Sequence, residues 1–130
     1  MKNWIGVASL LIAGMLGVGV AASVASAQDV AKGERVFATQ CKACHTLERG
    51  GATTAGPNLY RIMGRRSGTG QGYGYSEVMR RFGIEWNDTT LAAYLRDPRA
   101  DMPGTKMVFA GIRQSSQMAD LIAYLKDATR

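Results

Sequence analysis

Near the end of the chain, Met118, Leu121, Ile122 and Leu125 fall at i, i+3, i+4 and i+7. That spacing puts four apolar side chains on one helical face. It predicts an α-helix near 116–128, with Ser115 or Ser116 as its cap. A second helix is predicted near 88–96. Asn87 or Asp88 can cap it, Leu91, Tyr94 and Leu95 share a face, and Asp97-Pro98 ends it. A third lies near 30–41, with a sparser apolar face of Val30, Val36 and Phe37. A short helix near 76–82 stops at Gly83. No segment alternates as a half-buried strand does, so the expected class is all-α.

Two stretches carry no such period. Residues 46–75 hold eight glycines, and residues 97–114 are also irregular. Irregular segments of this length are uncommon in compact small domains unless they serve a function. Three modest helices supply little core for a domain of this size. Leu59, Tyr60, Ile62, Met63, Tyr73 and Tyr75 are scattered through the first stretch, so it is expected to pack rather than stay disordered. A large buried cofactor resolves the difficulty, because it offers apolar surface to loops that cannot form a core themselves.

The first residues follow another pattern. After Lys2 no charged residue occurs until Asp29, and Ala25-Ser26-Ala27 closes an apolar stretch. A basic start, an apolar run and a small-x-small exit read as a secretory signal, residues 1–27, cleaved after Ala27. The alternative is an uncleaved membrane anchor over residues 4–24. Cleavage leaves one domain, residues 28–130, outside the cytoplasmic compartment. It carries 15 basic and 10 acidic side chains, a net charge of about +5. That sign favours acidic partners. The basic residues are spread along the chain, with no run longer than Arg65-Arg66 or Arg80-Arg81, which argues against a nucleic-acid arm. An acidic protein surface is the expected partner.

Both cysteines and the one histidine of the chain fall within five residues, CKACH, 41–45. A zinc site needs about four ligands, and this cluster is short of them. A redox Cys-x-x-Cys belongs in a strand–helix setting, which this chain lacks. A disulfide across two residues would close a very small loop and add little stability. Cys-x-x-Cys-His is the attachment sequence for c-type haem. The two thiols add to the haem vinyl groups, and the adjacent imidazole is carried to the iron. A second histidine is absent from the chain, so a sixth ligand must come from elsewhere. Met63, Met79, Met102, Met107 and Met118 are the candidates. Met118 belongs to the apolar face of the last helix. Met102 and Met107 lie in the second irregular stretch, where a loop can bend to present a thioether.

PGTKMVFAGI, residues 103–112, resembles the methionine-ligand loop of class I cytochrome c, the mitochondrial type. DVAKGERVF, CKACHTLERGG, GPNLYRIMGRRSG and DLIAYLKDATR resemble other segments of that family, in the same order from Asp29 to Arg130. With the export signal, the resemblance points to the soluble periplasmic bacterial form. It implies the class I cytochrome c fold, long loops wrapped around one haem c bound through Cys41 and Cys44. It implies His45 and Met107 as iron ligands, with the Pro57 carbonyl orienting His45. Tyr94 is implied beside the Met107 sulfur, and Tyr75 and Trp86 as donors to a haem propionate, with Arg65 near its charge. Gly33 and Phe37 are expected to meet Leu121 and Tyr124. Met79 stands where the family often carries an asparagine.

The implied function is one-electron transport by a monomer, not enzymatic turnover of a small molecule. Arg35, Arg99, Lys106 and Arg113 are implied around the exposed haem edge, where acidic partners dock. Those partners would be a cytochrome bc complex as donor and an oxidase or photosynthetic reaction centre as acceptor. The alternatives are a haem enzyme or a gas or peroxide sensor with a labile Met107, or the dedicated acceptor of one periplasmic dehydrogenase.

Overall fold

The structure is a computed structural model that describes residues 28–130. The expected signal, its cut after Ala27 and the alternative anchor over 4–24 lie outside the described residues. Five helices follow one another: α1 Val30–Gln40, α2 Glu77–Phe82, α3 Asp88–Arg96, α4 Pro98–Asp101 and α5 Ser115–Ala128. Among the described residues there is no sheet. One isolated antiparallel bridge joins Arg66 and Glu85. No described helix is long and apolar enough to cross a membrane.

Local chemistry explains the helix limits. The Asp29 carboxylate accepts the Lys32 N–H at 3.0 Å and opens α1. Asn87 caps α3 in a reciprocal box with Thr90. Ser76 caps α2, and Gly83 ends it in the left-handed region. The stretch 97–114, expected to be irregular throughout, contains α4. Asp97 ends α3 and at once caps the next turn, accepting from Ala100 N–H, with Pro98 preset at its first position. The last helix begins at Ser115 after Gln114, which makes no side-chain cap, so neither serine serves as the cap.

α1 crosses α5 at Gly33. A Cβ there would stand 2.6 Å from the Asp120 carbonyl carbon and 2.7 Å from Tyr124 Cβ. Only a residue without a side chain lets the backbones meet this closely. Phe37 lies one turn on, its ring 5.7 Å from that of Tyr124, and Leu121 is fully buried. The expected contact of Gly33 and Phe37 with Leu121 and Tyr124 is present. Val30, expected on the same face, is 42% exposed. It sits in the first turn, before the helix reaches the crossing.

The loop 46–75 is held by backbone bonds to distant partners. Leu59 N–H donates to Thr46 O, Arg61 N–H to Thr129 O, and Gly64 N–H to Trp86 O. Met102 and Met118 are buried in the helical core, at 0% and 5% exposure. These contacts leave one side of the core unfilled, between α1, α3, α5 and the two loops.

Candidate functional site: a haem cavity

The unfilled side is a cavity whose lining is mostly apolar, and the space open to the centres of water molecules is about 260 Å³. Its wall contains every residue assigned to the cofactor from the sequence: Cys41, Cys44, His45, Pro57, Arg65, Tyr75, Trp86, Tyr94 and Met107. These come from separate segments of the chain, and only folding joins them.

CKACH begins where α1 ends. Cys41 N–H still bonds Phe37 O, and His45 N–H turns back to Cys41 O at 3.1 Å. The segment is thus one further turn, with both sulfurs and the imidazole at the cavity wall. Gly56 N–H and the Thr54 hydroxyl both donate to Cys44 O, each at 2.9 Å, and lock this turn to the following loop. That loop passes so close to the imidazole that a Cβ on Gly56 would stand 2.5 Å from His45 Cε1.

His45 Nδ1 lies 2.8 Å from Pro57 O. A carbonyl can only accept, so Nδ1 carries the proton and Nε2 keeps a free lone pair. Burial lowers the pKa of His45, and the bond to Pro57 opposes this only partly. The ring is therefore neutral at ordinary pH, the form that binds a metal. Burial raises the Cys41 thiol to about 11, with the charge of Cys44 adding to it. Redox-active cysteines show the opposite shift. Among the described residues no group of three His, Cys, Asp or Glu side chains is placed to hold a metal ion.

Met107 is half-buried in a loop that runs extended. Met107 and Phe109 turn inward, while Val108 is 85% exposed. Of the five candidate methionines, Met107 and Met79 line the cavity. Met102, which the irregular stretch alone left open as a ligand, belongs to the core instead. Its N–H bonds Pro98 O at the end of α4, which carries the side chain inward among the helices.

One corner of the cavity is polar. Gly70 lies against the Tyr75 hydroxyl and within 3.5 Å of the Arg65 guanidinium carbon, measured from where its Cβ would be. Arg65 also donates to Tyr60 O at 3.1 Å and Asn58 O at 3.2 Å, which fixes its head. Trp86 N–H bonds Arg65 O at 2.9 Å. Trp86 is buried, at 5% exposure, and its ring lines the cavity beside them. A cation and two ring donors around an apolar slot suit a flat apolar group that bears carboxylates. Haem is such a group, and the residues present fit it.

Two hydroxyl-bearing residues of the wall, Thr105 and Ser76, escaped the sequence reading. The Tyr94 hydroxyl lies 2.6 Å from Thr105 Oγ1, which also accepts the Met107 N–H at 3.4 Å. Tyr94 therefore reaches the Met107 segment through Thr105. Ser76, the cap of α2, is the other. Both sit in segments already singled out, but nothing in spacing marks a threonine or serine as cavity-facing. Lys106 lines the cavity mouth and donates to Gly74 O at 2.6 Å, tying the two loops together. Arg113 pairs with Asp97 at 3.5 Å, while Arg35 and Arg99 are exposed.

The chain is similar to known proteins over nearly all of its described length. The family model for cytochrome c matches residues 30–129. The chain is 49% identical to cytochrome c of Chlamydomonas reinhardtii over 105 residues, 81% of this chain and 94% of the relative. It is 46% identical to cytochrome c of Gibberella zeae over 102 residues, 78% of this chain and 96% of the relative. It is 42% identical to cytochrome c2 of Blastochloris viridis over 116 residues, covering 89% and 91%. With CKACH at the wall of a cavity built for a flat apolar group, the chain belongs to the cytochrome c family and is an electron carrier whose haem c is held covalently through Cys41 and Cys44.

Proposed function

We propose that His45 and Met107 would hold the haem iron, and that the protein moves single electrons between redox complexes in the periplasm. The observation that carries this reading is the meeting, in one apolar cavity, of a neutral imidazole with its Nδ1–H committed to Pro57 and a thioether from a loop tied down at Lys106 and Thr105. Bound haem supplies an iron that alternates between ferric and ferrous states by one electron.

The residues of the chain tune and protect that change. Pro57 orients His45 and strengthens it as a donor. Met107 is a soft neutral ligand, which favours the ferrous state. The apolar wall disfavours the extra positive charge of the ferric state and acts in the same direction. Arg65, Tyr75 and Trp86 hold a propionate, and Tyr94 steadies the Met107 loop through Thr105. With His45 and Met107 both holding the iron, no position there would be open to a substrate.

Arg35, Arg99, Lys106 and Arg113 are assigned to docking on acidic surfaces, in keeping with the net positive charge of the chain. The electron donor is a cytochrome bc complex, and the acceptor a terminal oxidase or a photosynthetic reaction centre. The likeness to a bacterial cytochrome c2 supports this setting. So does the start of α1 at Val30, just beyond the cleavage site after Ala27.

The test is a reduced-minus-oxidised spectrum with a redox titration of the wild type and Met107→Ala. The variant is expected to lose the methionine-to-iron absorption band and to fall in potential. An unchanged spectrum rejects Met107 as the ligand. The reduced wild type is expected not to bind carbon monoxide at neutral pH, and binding would favour a sensor or enzyme. Reduction by a periplasmic dehydrogenase alone would replace the bc complex as donor. Transfer rates with the bc complex should fall as ionic strength rises, and flat rates reject steering by the basic residues.

A further inference from the structure

We propose a second docking face, separate from the haem cavity, on which Arg49 and Arg61 receive the carboxylates of an acidic protein segment. The backbone at Arg61 points to it. The Leu59 carbonyl accepts the Ile62 N–H at 3.0 Å, so residues 59–62 form a tight turn. Arg61 is its third residue and holds φ +54°, the one positive φ outside glycine among the described residues. Glycine or asparagine is usual at such a position, because a Cβ is strained there. Both central residues of the turn are clamped. Tyr60 N–H donates to Asn58 Oδ1 at 2.9 Å, and Arg61 N–H to Thr129 O at 2.7 Å. Nothing in the fold offsets the strain through the Arg61 side chain, which is exposed and enters no ion pair among the described residues. A strained residue whose side chain serves no internal contact directs attention outward, to a function.

Beside the turn a second arginine is already positioned. Arg49 donates to the Tyr60 hydroxyl from Nε at 3.3 Å and Nη2 at 3.1 Å, and its guanidinium carbon lies 5.4 Å from the centre of the Tyr60 ring. The Nη1 edge of the fork takes no part in these bonds. Arg130 follows Thr129, and its pair with Asp127 at 3.2 Å is exposed and weak. A guanidinium fork suits a carboxylate or a phosphate. Arginine with tyrosine is the pairing that dominates protein–protein contacts. A lipid surface is gripped instead by basic residues that flank apolar anchors. None of the exposed large apolar side chains, Val30, Phe82 and Val108, belongs to this group. Arg49, Tyr60, Arg61 and Arg130 are also absent from the cavity wall. A protein held here therefore leaves the mouth at Lys106 uncovered, and the carrier stays tethered while its haem edge meets a redox partner.

The experiment follows the backbone amide signals of the isotope-labelled ferrous holoprotein by NMR while an oligoglutamate peptide is added at low salt. The expected result is saturable movement of the signals of Arg49, Tyr60, Arg61, Thr129 and Arg130. The double variant Arg49→Gln/Arg61→Gln changes exposed side chains and should keep the haem spectrum. It should bind the peptide at least about tenfold more weakly, as when charged anchors leave an interface. Equal affinity of the double variant, or movement only around Arg35, Arg99, Lys106 and Arg113, overturns the proposal. Signals that move with phosphatidylglycerol vesicles and not with the peptide overturn it in favour of a lipid surface.

Discussion

The Tyr94 hydroxyl and the Thr105 hydroxyl lie 2.6 Å apart, eleven residues away in sequence, on the cavity wall that carries Met107. Because Thr105 Oγ1 also accepts the Met107 N–H, one hydroxyl joins α3 to the methionine loop. Thr105→Val removes it with almost no change of shape. The variant should lose about 1–2 kcal/mol of stability in urea unfolding, the usual cost of a stranded buried partner. In a double-mutant cycle with Tyr94→Phe, the two losses should add to less than their sum.

Alkaline pH gives a separate reading of Tyr94. Burial holds its pKa above the ordinary 10, and the bond to Thr105 opposes that only partly. The folded state therefore keeps its proton when the unfolded chain has lost it. This stability is fully present below the unfolded pKa near 10, and is lost as pH rises through the folded value. Unfolding free energy measured from pH 9 upward should fall more steeply in the wild type than in Tyr94→Phe.

The α1–α5 crossing has no room at Gly33. Gly33→Ala should cost about 1–3 kcal/mol through overpacking, despite the better helix propensity of alanine. A denaturation midpoint equal to that of the wild type would show that the helices separate freely.

Arg61 holds a backbone φ of +54°, and its side chain is exposed. A side-chain-bearing residue in that region costs roughly 1–2 kcal/mol, part of which glycine offsets by its larger freedom when unfolded. Arg61→Gly should raise stability by about 0.5–1 kcal/mol in urea unfolding, with an unchanged haem spectrum.

Met102 and Met107 should separate by experiment. Met102 is fully buried in the core. Met102→Ala should cost about 2–5 kcal/mol, as for other truncated core methionines, yet keep the methionine-to-iron band. A loss of that band without a loss of stability would exchange the roles given to the two residues.

Much of this was legible along the chain. The four-residue apolar face of α5 and the asparagine cap of α3 depend on neighbours within one or two turns, so periodicity finds them. CKACH is legible for the same reason, since its chemistry lies in five consecutive residues. α4 was hidden because four residues carry no period, and its signal, Asp97-Pro98, serves equally as a stop. The missing caps at Ser115 and Ser116 show the same limit, because several polar residues in a row can each start a helix.

By itself the sequence determined the all-α class, the covalent haem motif and the need for a large body beneath the glycine-rich loops. These follow from local spacing and from the small apolar content of three helices. Spacing left Met102 and Met107 open and the resemblance singled out Met107; tertiary structure decided that Met107 lines the cavity while Met102 fills the core, although the two stand five residues apart in one irregular stretch. It also decided that Thr105 links Tyr94 to Met107, and that Arg65, Tyr75 and Trp86 share one polar corner. Such contacts form between segments far apart in the chain. Their geometry depends on how α1 meets α5 and on the backbone bonds that fold each loop back, neither of which leaves a period in the sequence.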